Sequence, residues 1–331
     1  MSDLEGRCRR LLGELGLASP HERLSVEPLS GGVASDIALV RIADRKVCVK
    51  FALAKLKTAA DWFAPIHRNA AEYAWLHRAA QIAPENAIEV YGRSESSHGF
   101  AMEFLQGDDI YLWKAALLSE APDRGEAARV GALLGRIHAA SVEPDFDRTP
   151  FDNRSDFHAL RLEPYLIHTA RSHGDLRIHF DRLVDDLHIA DRVLVHGDAS
   201  PKNILLRGQA PILLDAECAT MGDASFDPAF CLNHIVLKAI HLPDARTRYL
   251  QNAQGLWQAY ARWIVWESKD EVEARICRLL PALMLARIDG KSPVEYLDGL
   301  ERKRVRDIAC SLIKAPMPSV AQTLAEIAAS C

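Results

Sequence analysis

The stretch "VHGDASPKNILL", residues 195–206, decides how the chain is read. It opens and closes like a buried strand, yet its middle holds His196, Asp198, Lys202 and Asn203. Such polar groups are unfavourable to bury unless a partner meets them. A second apolar run, "ILLDAE" at 212–217, follows and carries Asp215 near its end. Read as strand, polar loop and strand pair, the segment brings Asp198, Asn203 and Asp215 to one mouth. One carboxylate there can take the proton of an attacking hydroxyl, while the amide and the second carboxylate offer hard oxygen ligands to Mg²⁺. The same letters also describe a polar hairpin with an Asn-stabilised turn.

The gross features narrow the field. At 331 residues the chain is long enough for one large or two medium domains with a sizeable core. A net charge of -5 and the lack of any basic stripe argue against a nucleic-acid partner. The densest basic run, "ERKRVR" at 301–306, reads as a solvated helix face. The seven cysteines are scattered, with no CxxC or Cys/His spacing, which fits a reducing cytosol and no structural zinc. The first residues, "MSDLEGRCRRLLGELGL", read as an amphipathic helix and not as a signal peptide, because acids interrupt them. No apolar run approaches the roughly 18 residues that a membrane span needs. The expectation is a cytoplasmic globular protein with no membrane or nucleic-acid partner; its oligomeric state is not legible.

Along its length the chain has two characters. Residues 24–29, 37–42 and 46–51 are short β-branched runs between turn-like residues and read as strands. A helix over 66–81 and strands over 87–91 and 99–105 follow. Beyond "QGDD" the texture becomes helical, at 126–141, 155–170, 178–190, 228–240, 246–266 and 271–288, with strands only at 193–195 and 203–214 and a loop over 144–154.

With that setting, "HGDASPKNILL" followed by "LLDAE" resembles the aminoglycoside phosphotransferase and choline kinase superfamily. The resemblance implies an α+β, bilobal, protein-kinase-like fold, with a small β-rich N-terminal lobe (1–105) and a larger, mainly helical C-terminal lobe (106–331). It implies ATP and Mg²⁺ as cofactors, Asp198 as the catalytic residue, and Asn203 and Asp215 as the metal ligands. Other elements fall in the family's order. "LSGGVASDIALV" puts Gly31 and Gly32 between two strands, where backbone N–H groups can approach phosphates, although a Gly-Gly hairpin turn reads the same way. "VCVK" puts Lys50 on the third strand, opposite in face to Val47, Val49 and Phe51. Glu72, the sole carboxylate between Asp61 and Glu85, matches the acid that pairs with this lysine in the family. "AMEFLQGDD" (101–109) resembles the hinge, where backbone groups of Glu103 and Leu105 would meet the adenine.

Some letters depart from the pattern. Ala216 stands where the family often has an aromatic residue, while Glu217 keeps the Asp-x-Glu form of choline and aminoglycoside kinases. Lys202 reads as solvated or as a phosphate contact, and Ser200 occupies the place of a protein-kinase lysine. Asp227, before Pro228, reads either as a helix N-cap or as the family's brace for the catalytic loop, with His196 beside it. Only eleven residues separate Asp215 from Asp227, which leaves little room for a peptide-docking segment. The acceptor is therefore expected to be a small molecule with a hydroxyl. In "LARIDGKSPVEYL" (285–297) the segment reads as a helix ending at Gly290, and Arg287 and Lys291 stand beside Asp289 as candidate acceptor contacts. Asn233 and His234 of "CLNH" are further candidates. Two cations with one acid suit a neutral or anionic metabolite better than a polycationic antibiotic. An aminoglycoside-type kinase and a catalytically silent ATP-binding module remain the alternatives.

Overall fold

The computed structural model describes residues 3–29, 34–57 and 63–331. Helix α1 (Asp3–Glu14) precedes strands β1 (Leu24–Leu29), β2 (Ser35–Ile42) and β3 (Arg45–Ala52). Helix α2 (Asn69–Ile82) and strands β4 (Val90–Ser94) and β5 (Gly99–Glu103) complete this part. The strands form one antiparallel sheet in the order β1-β2-β3-β5-β4. The alternation of β3 separates its two faces. Val47, Val49 and Phe51 pack with Cys8, Leu11 and Leu12 of α1, whereas Cys48 joins the main core with Trp75 and Leu76 of α2. Lys50 therefore leaves the sheet on the α2 side.

Past the sheet come β6 (Ile110–Leu112), α3 (Trp113–Leu118), α4 (Glu126–Ala140), α5 (Arg154–Phe157), α6 (His168–Ser172) and α7 (Arg177–Ile189). Between α5 and α6 the chain widens to π-type turns over His158–Ile167, around Pro164, whose ring nitrogen cannot donate to the preceding turn. Strands β7 (Val193–Val195), β8 (Ile204–Arg207), β9 (Ala210–Leu213) and β10 (Thr220–Gly222) make two small sheets, β10-β7 and β6-β8-β9. Helices α8 (Phe226–His241), α9 (Arg246–Ala261), α10 (Lys269–Asp289), α11 (Gly299–Lys314) and α12 (Val320–Ala329) finish the chain. Every residue of α8 from Phe226 to Ile240 is buried, so this helix is the axis of the helical part, with α9, α10 and α11 packed around it.

The strand expected at 87–91 begins later, at Val90, because Pro84–Asn86 first forms a 3₁₀ turn. Gly92 (φ +152) then shifts the register of β4 against β5. Strands β6 and β10, each three residues long, were not expected from the sequence. Part of the 144–154 segment is a 3₁₀ turn, Thr149–Phe151, and α5 starts at its end. No helix among the described residues is long and apolar enough to cross a membrane.

Helix α4 packs tightly against α9 at Gly131. A Cβ there would stand 2.2 Å from the Leu256 carbonyl oxygen, a backbone atom that cannot swing away. Alanine is the better helix former by roughly 1 kcal/mol. Overpacking typically costs about 1–3 kcal/mol and should outweigh that gain, so Gly131→Ala is expected to lower stability by up to about 2 kcal/mol net. A thermal or denaturant melt of the variant checks this, and a raised midpoint would show that α9 moves aside.

Candidate active site

Lys50, 3% exposed, is held between two acids. Its Nζ donates to Glu72 Oε1 at 2.7 Å and also to Asp215 Oδ1. Glu72 Oε1 accepts in addition from the Asp215 N–H at 3.1 Å, which ties α2, β3 and the end of the β9 segment into one contact. Burial alone would lower the Lys50 ammonium, but the charges of Asp215, Glu72 and Glu217 hold it above its ordinary value. Burial likewise works to raise Asp215, and the Lys50 and Lys202 cations overcome it, so this carboxyl stays low and ionised. Glu72 is pushed up to about 7, chiefly by burial. Asp215 is the partly exposed member of the cluster, so its ionised carboxylate remains open to a further cation. Asp215 also has φ +69, a left-handed backbone uncommon for a non-glycine residue.

The loop from β7 to β8 is braced from below by Asp227. Its Oδ2 accepts from the His196 N–H at 2.6 Å, its Oδ1 from the Gly197 N–H at 2.9 Å, and His138 Nε2 lies 3.2 Å from it. The N-cap of α8 is Ser225, so Asp227 serves the loop and not the helix end. Gly197 has φ +78, and a Cβ there would meet the Cys218 side chain at 2.8 Å. His196 packs edge-on against Trp75, and burial depresses its pKa. Past the turn, Asp198 Oδ2 lies 3.0 Å from Arg161 Nη2 and 3.2 Å from Lys202 Nζ, while its Oδ1 is buried with no partner among the described residues. The Ser200 hydroxyl and His196 Nε2 are buried and unpaired in the same way. Asn203 Nδ2 donates to the Asp198 carbonyl at 3.0 Å, and the Asn203 carbonyl accepts from the Leu214 N–H at 2.9 Å. That backbone bond sets Asn203 next to the strand leading to Asp215. Two residues along, Glu217 pairs with the fully buried Arg68 at 2.7 Å.

No cluster of three or more His, Cys, Asp or Glu side chains suited to a metal occurs among the described residues. Asn203 and Asp215 are instead a sparse oxygen set, which fits Mg²⁺ completed by phosphates and water. Gly31 and Gly32 lie outside the described residues. The N–H of Glu103 is already given to the Glu89 carbonyl at 2.8 Å, and Leu105 follows just after β5.

Candidate acceptor residues separate. Arg287 and His234 line a cavity of about 200 Å³ that reaches Asp198 and Lys202. Lys291 turns to Glu163 at 2.7 Å, and Asp289 to Arg306 and His173. Asn233 is buried in α8 with neither amide atom partnered among the described residues. Larger cavities of about 440 and 370 Å³ exist beside Tyr111 and Arg129, but Lys50, Asp198 and Asp215 line neither.

Sequence reading missed Arg68 and Arg161, since each stands in an amphipathic run where an arginine reads as solvated. It also missed Lys238, 1% exposed on α8, whose ammonium faces the same cavity. Burial, then the charges of Lys114 and Arg287, push it from its ordinary 10.5 down to about 7. In the unfolded chain this lysine is charged well above pH 7, so the folded protein loses stability as pH falls from about 10 to 7. Lys238→Met should therefore raise the melting temperature, by about 1–4 kcal/mol in stability near pH 7 and by less as pH approaches 10. Thermal melts of both proteins across that range check it; a destabilised variant at pH 7 would mean that the charge has a structural partner.

A model of a phosphotransferase enzyme family matches residues 25–266. No curated protein sequence matches the chain. The amicoumacin kinase hAmiN, solved with AMP-PNP, Ca²⁺ and Ami, superposes with a TM-score of 0.57 over 95% of this chain and 97% of that one, at 14% identity. A choline/ethanolamine kinase family protein from Mesorhizobium loti gives 0.51 over 99% of both chains, at 17% identity. At such identities the likeness is one of fold. The architecture is thus α+β, bilobal and protein-kinase-like, as the resemblance implied.

Proposed function

The chain belongs to the phosphotransferase enzyme family, and we propose that it moves the γ-phosphate of ATP to a hydroxyl of a small polar metabolite. The observation that carries this reading is the buried contact of Lys50 with both Glu72 and Asp215, beside a braced loop that presents Asp198. Residues 1–105 form the nucleotide-binding lobe in this reading, and 106–331 the lobe with the catalytic loop and acceptor pocket. Lys50, positioned by Glu72, contacts the phosphates, and backbone groups of Glu103 and Leu105 meet the adenine.

Asn203 and Asp215 would hold Mg²⁺, which when bound would neutralise charge on the phosphate oxygens. Asp198 orients the acceptor hydroxyl and takes its proton on the unpartnered Oδ1, while Arg161 fixes Oδ2. The acceptor oxygen forms its bond to the γ-phosphorus as the bond to the β-γ bridging oxygen breaks, and ADP leaves. Glu217 acts through Arg68, and Asp227 and His196 through the loop backbone, as positioning residues. The scattered free cysteines support a cytoplasmic setting.

General-base assistance contributes roughly 10²–10⁴ in rate. Asp198→Asn should therefore keep AMP-PNP affinity and lose turnover by about that factor. Asp215→Ala should be inactive at any Mg²⁺ concentration, as a carboxylate ligand is lost outright. ATP consumption over a library of hydroxylated metabolites, with calorimetry for nucleotide binding, tests both. Near wild-type turnover in Asp198→Asn, or full rescue of Asp215→Ala by excess metal, would overturn the assignment.

A further inference from the structure

The cavity beside Asp198 is unevenly charged. Four of its lining residues are cationic, Lys114, Lys202, Lys238 and Arg287, against two acids, Asp198 and Glu295. The acids are already engaged: Lys202 lies 3.2 Å from Asp198, and Lys114 contacts Glu295. Lys238 and Arg287 are left without an ion pair among the described residues, though they are only 1% and 8% exposed. Lys238 Nζ reaches the His234 carbonyl at 3.2 Å and stands 5.1 Å from the centre of the Tyr296 ring. Arg287 Nη1 donates to Tyr165 Oη at 3.3 Å, to Ser292 Oγ at 3.0 Å and to the Ser292 carbonyl, but its Nε is buried and unpaired. Tyr296 Oη, in the same lining, is also buried without a partner.

A buried guanidinium and a buried lysine amine with no acid beside them are unfavourable, and a fold under no other demand would fill such positions with apolar side chains. Helix α8 is mostly apolar, with residues such as Phe230, Leu232, Ile235 and Val236, and Lys238 joins Asp227, Asn233 and His234 as its buried polar groups. The nucleotide does not explain the charge, since Lys50, Asn203 and Asp215 are absent from this lining while Asp198 is part of it. Taking the phosphotransferase reading above as its base, we propose that Lys238 and Arg287 anchor a carboxylate or phosphate group of the acceptor, so that the substrate is a small hydroxylated anion. The depressed ammonium of Lys238 agrees with this, because an oxyanion at the site would restore its charge. A cavity of about 200 Å³ falls below the ~300–1,000 Å³ typical of drug-sized ligands, which favours a compact acceptor. An amine or aminoglycoside would meet the wrong sign of charge.

Calorimetry on protein saturated with AMP-PNP and Mg²⁺ tests the proposal, with D-glycerate, sulfate, glycerol and ethanolamine as probes. Glycerate or sulfate should bind at one site, and glycerol and ethanolamine should not. Tighter glycerate assigns a hydroxy acid and tighter sulfate a phosphorylated alcohol; either result supports the anchor. Lys238→Met and, as a second variant, Arg287→Gln should each weaken anion binding at least tenfold and leave AMP-PNP affinity as it was. The proposal is overturned if wild type binds no anion, if the neutral or cationic probes bind as tightly, or if both variants bind anions normally. Failure of AMP-PNP to bind would instead defeat the phosphotransferase reading, and the anion titration would still be read on nucleotide-free protein.

Discussion

A single buried ammonium governs the centre of this molecule. Lys50 cannot lie inside a sheet-to-helix interface without acids to meet it, and Glu72 and Asp215 come from elements far apart in the chain. The contact fixes α2 against β3 and draws the segment after β9 toward the sheet. Arg68 repeats the device nearby, with Glu217 on one side and the carbonyls of Pro65 and Leu53 on the other, each within 2.9 Å. Both links join the sheet to the helical part by charge as well as by packing.

Around that centre the chain accepts local strain and unmet polarity. Asp215 adopts a left-handed backbone, Gly197 occupies a turn with no room for a side chain, and Asp227 is buried to hold two loop amides. Asp198 Oδ1, Ser200 Oγ and His196 Nε2 are buried without partners among the described residues. In a core built only for stability such atoms would be paired or replaced. Their concentration on one loop marks the surface where ligand atoms are expected.

Much of this was legible in the letters. The alternation of "KVCVKF" alone sent Lys50 to the face opposite Val47, Val49 and Phe51, and the polar centre of "VHGDASPKNILL" demanded partners. Asp227 offered two readings, and only the packing of α8 beneath the loop chose between them. Arg68 and Arg161 were not legible, because an arginine in an amphipathic run is solvated in most proteins and the acid each one meets stands over thirty residues away in sequence. Lys238 was hidden for the opposite reason: its helix is buried on all sides, which no periodicity reveals. Lys291 looked equivalent to Arg287 in sequence, yet the turn after α10 sends one to Glu163 and the other to the cavity.

The most direct test is a crystal structure with AMP-PNP in which Mn²⁺ replaces Mg²⁺ and is located by its anomalous scattering. The account predicts the metal between Asn203, Asp215 and the phosphates, with Lys50 still on Glu72 and the γ-phosphate facing Asp198. Nucleotide or metal bound elsewhere, with the Lys50–Asp215 contact undisturbed, would contradict it.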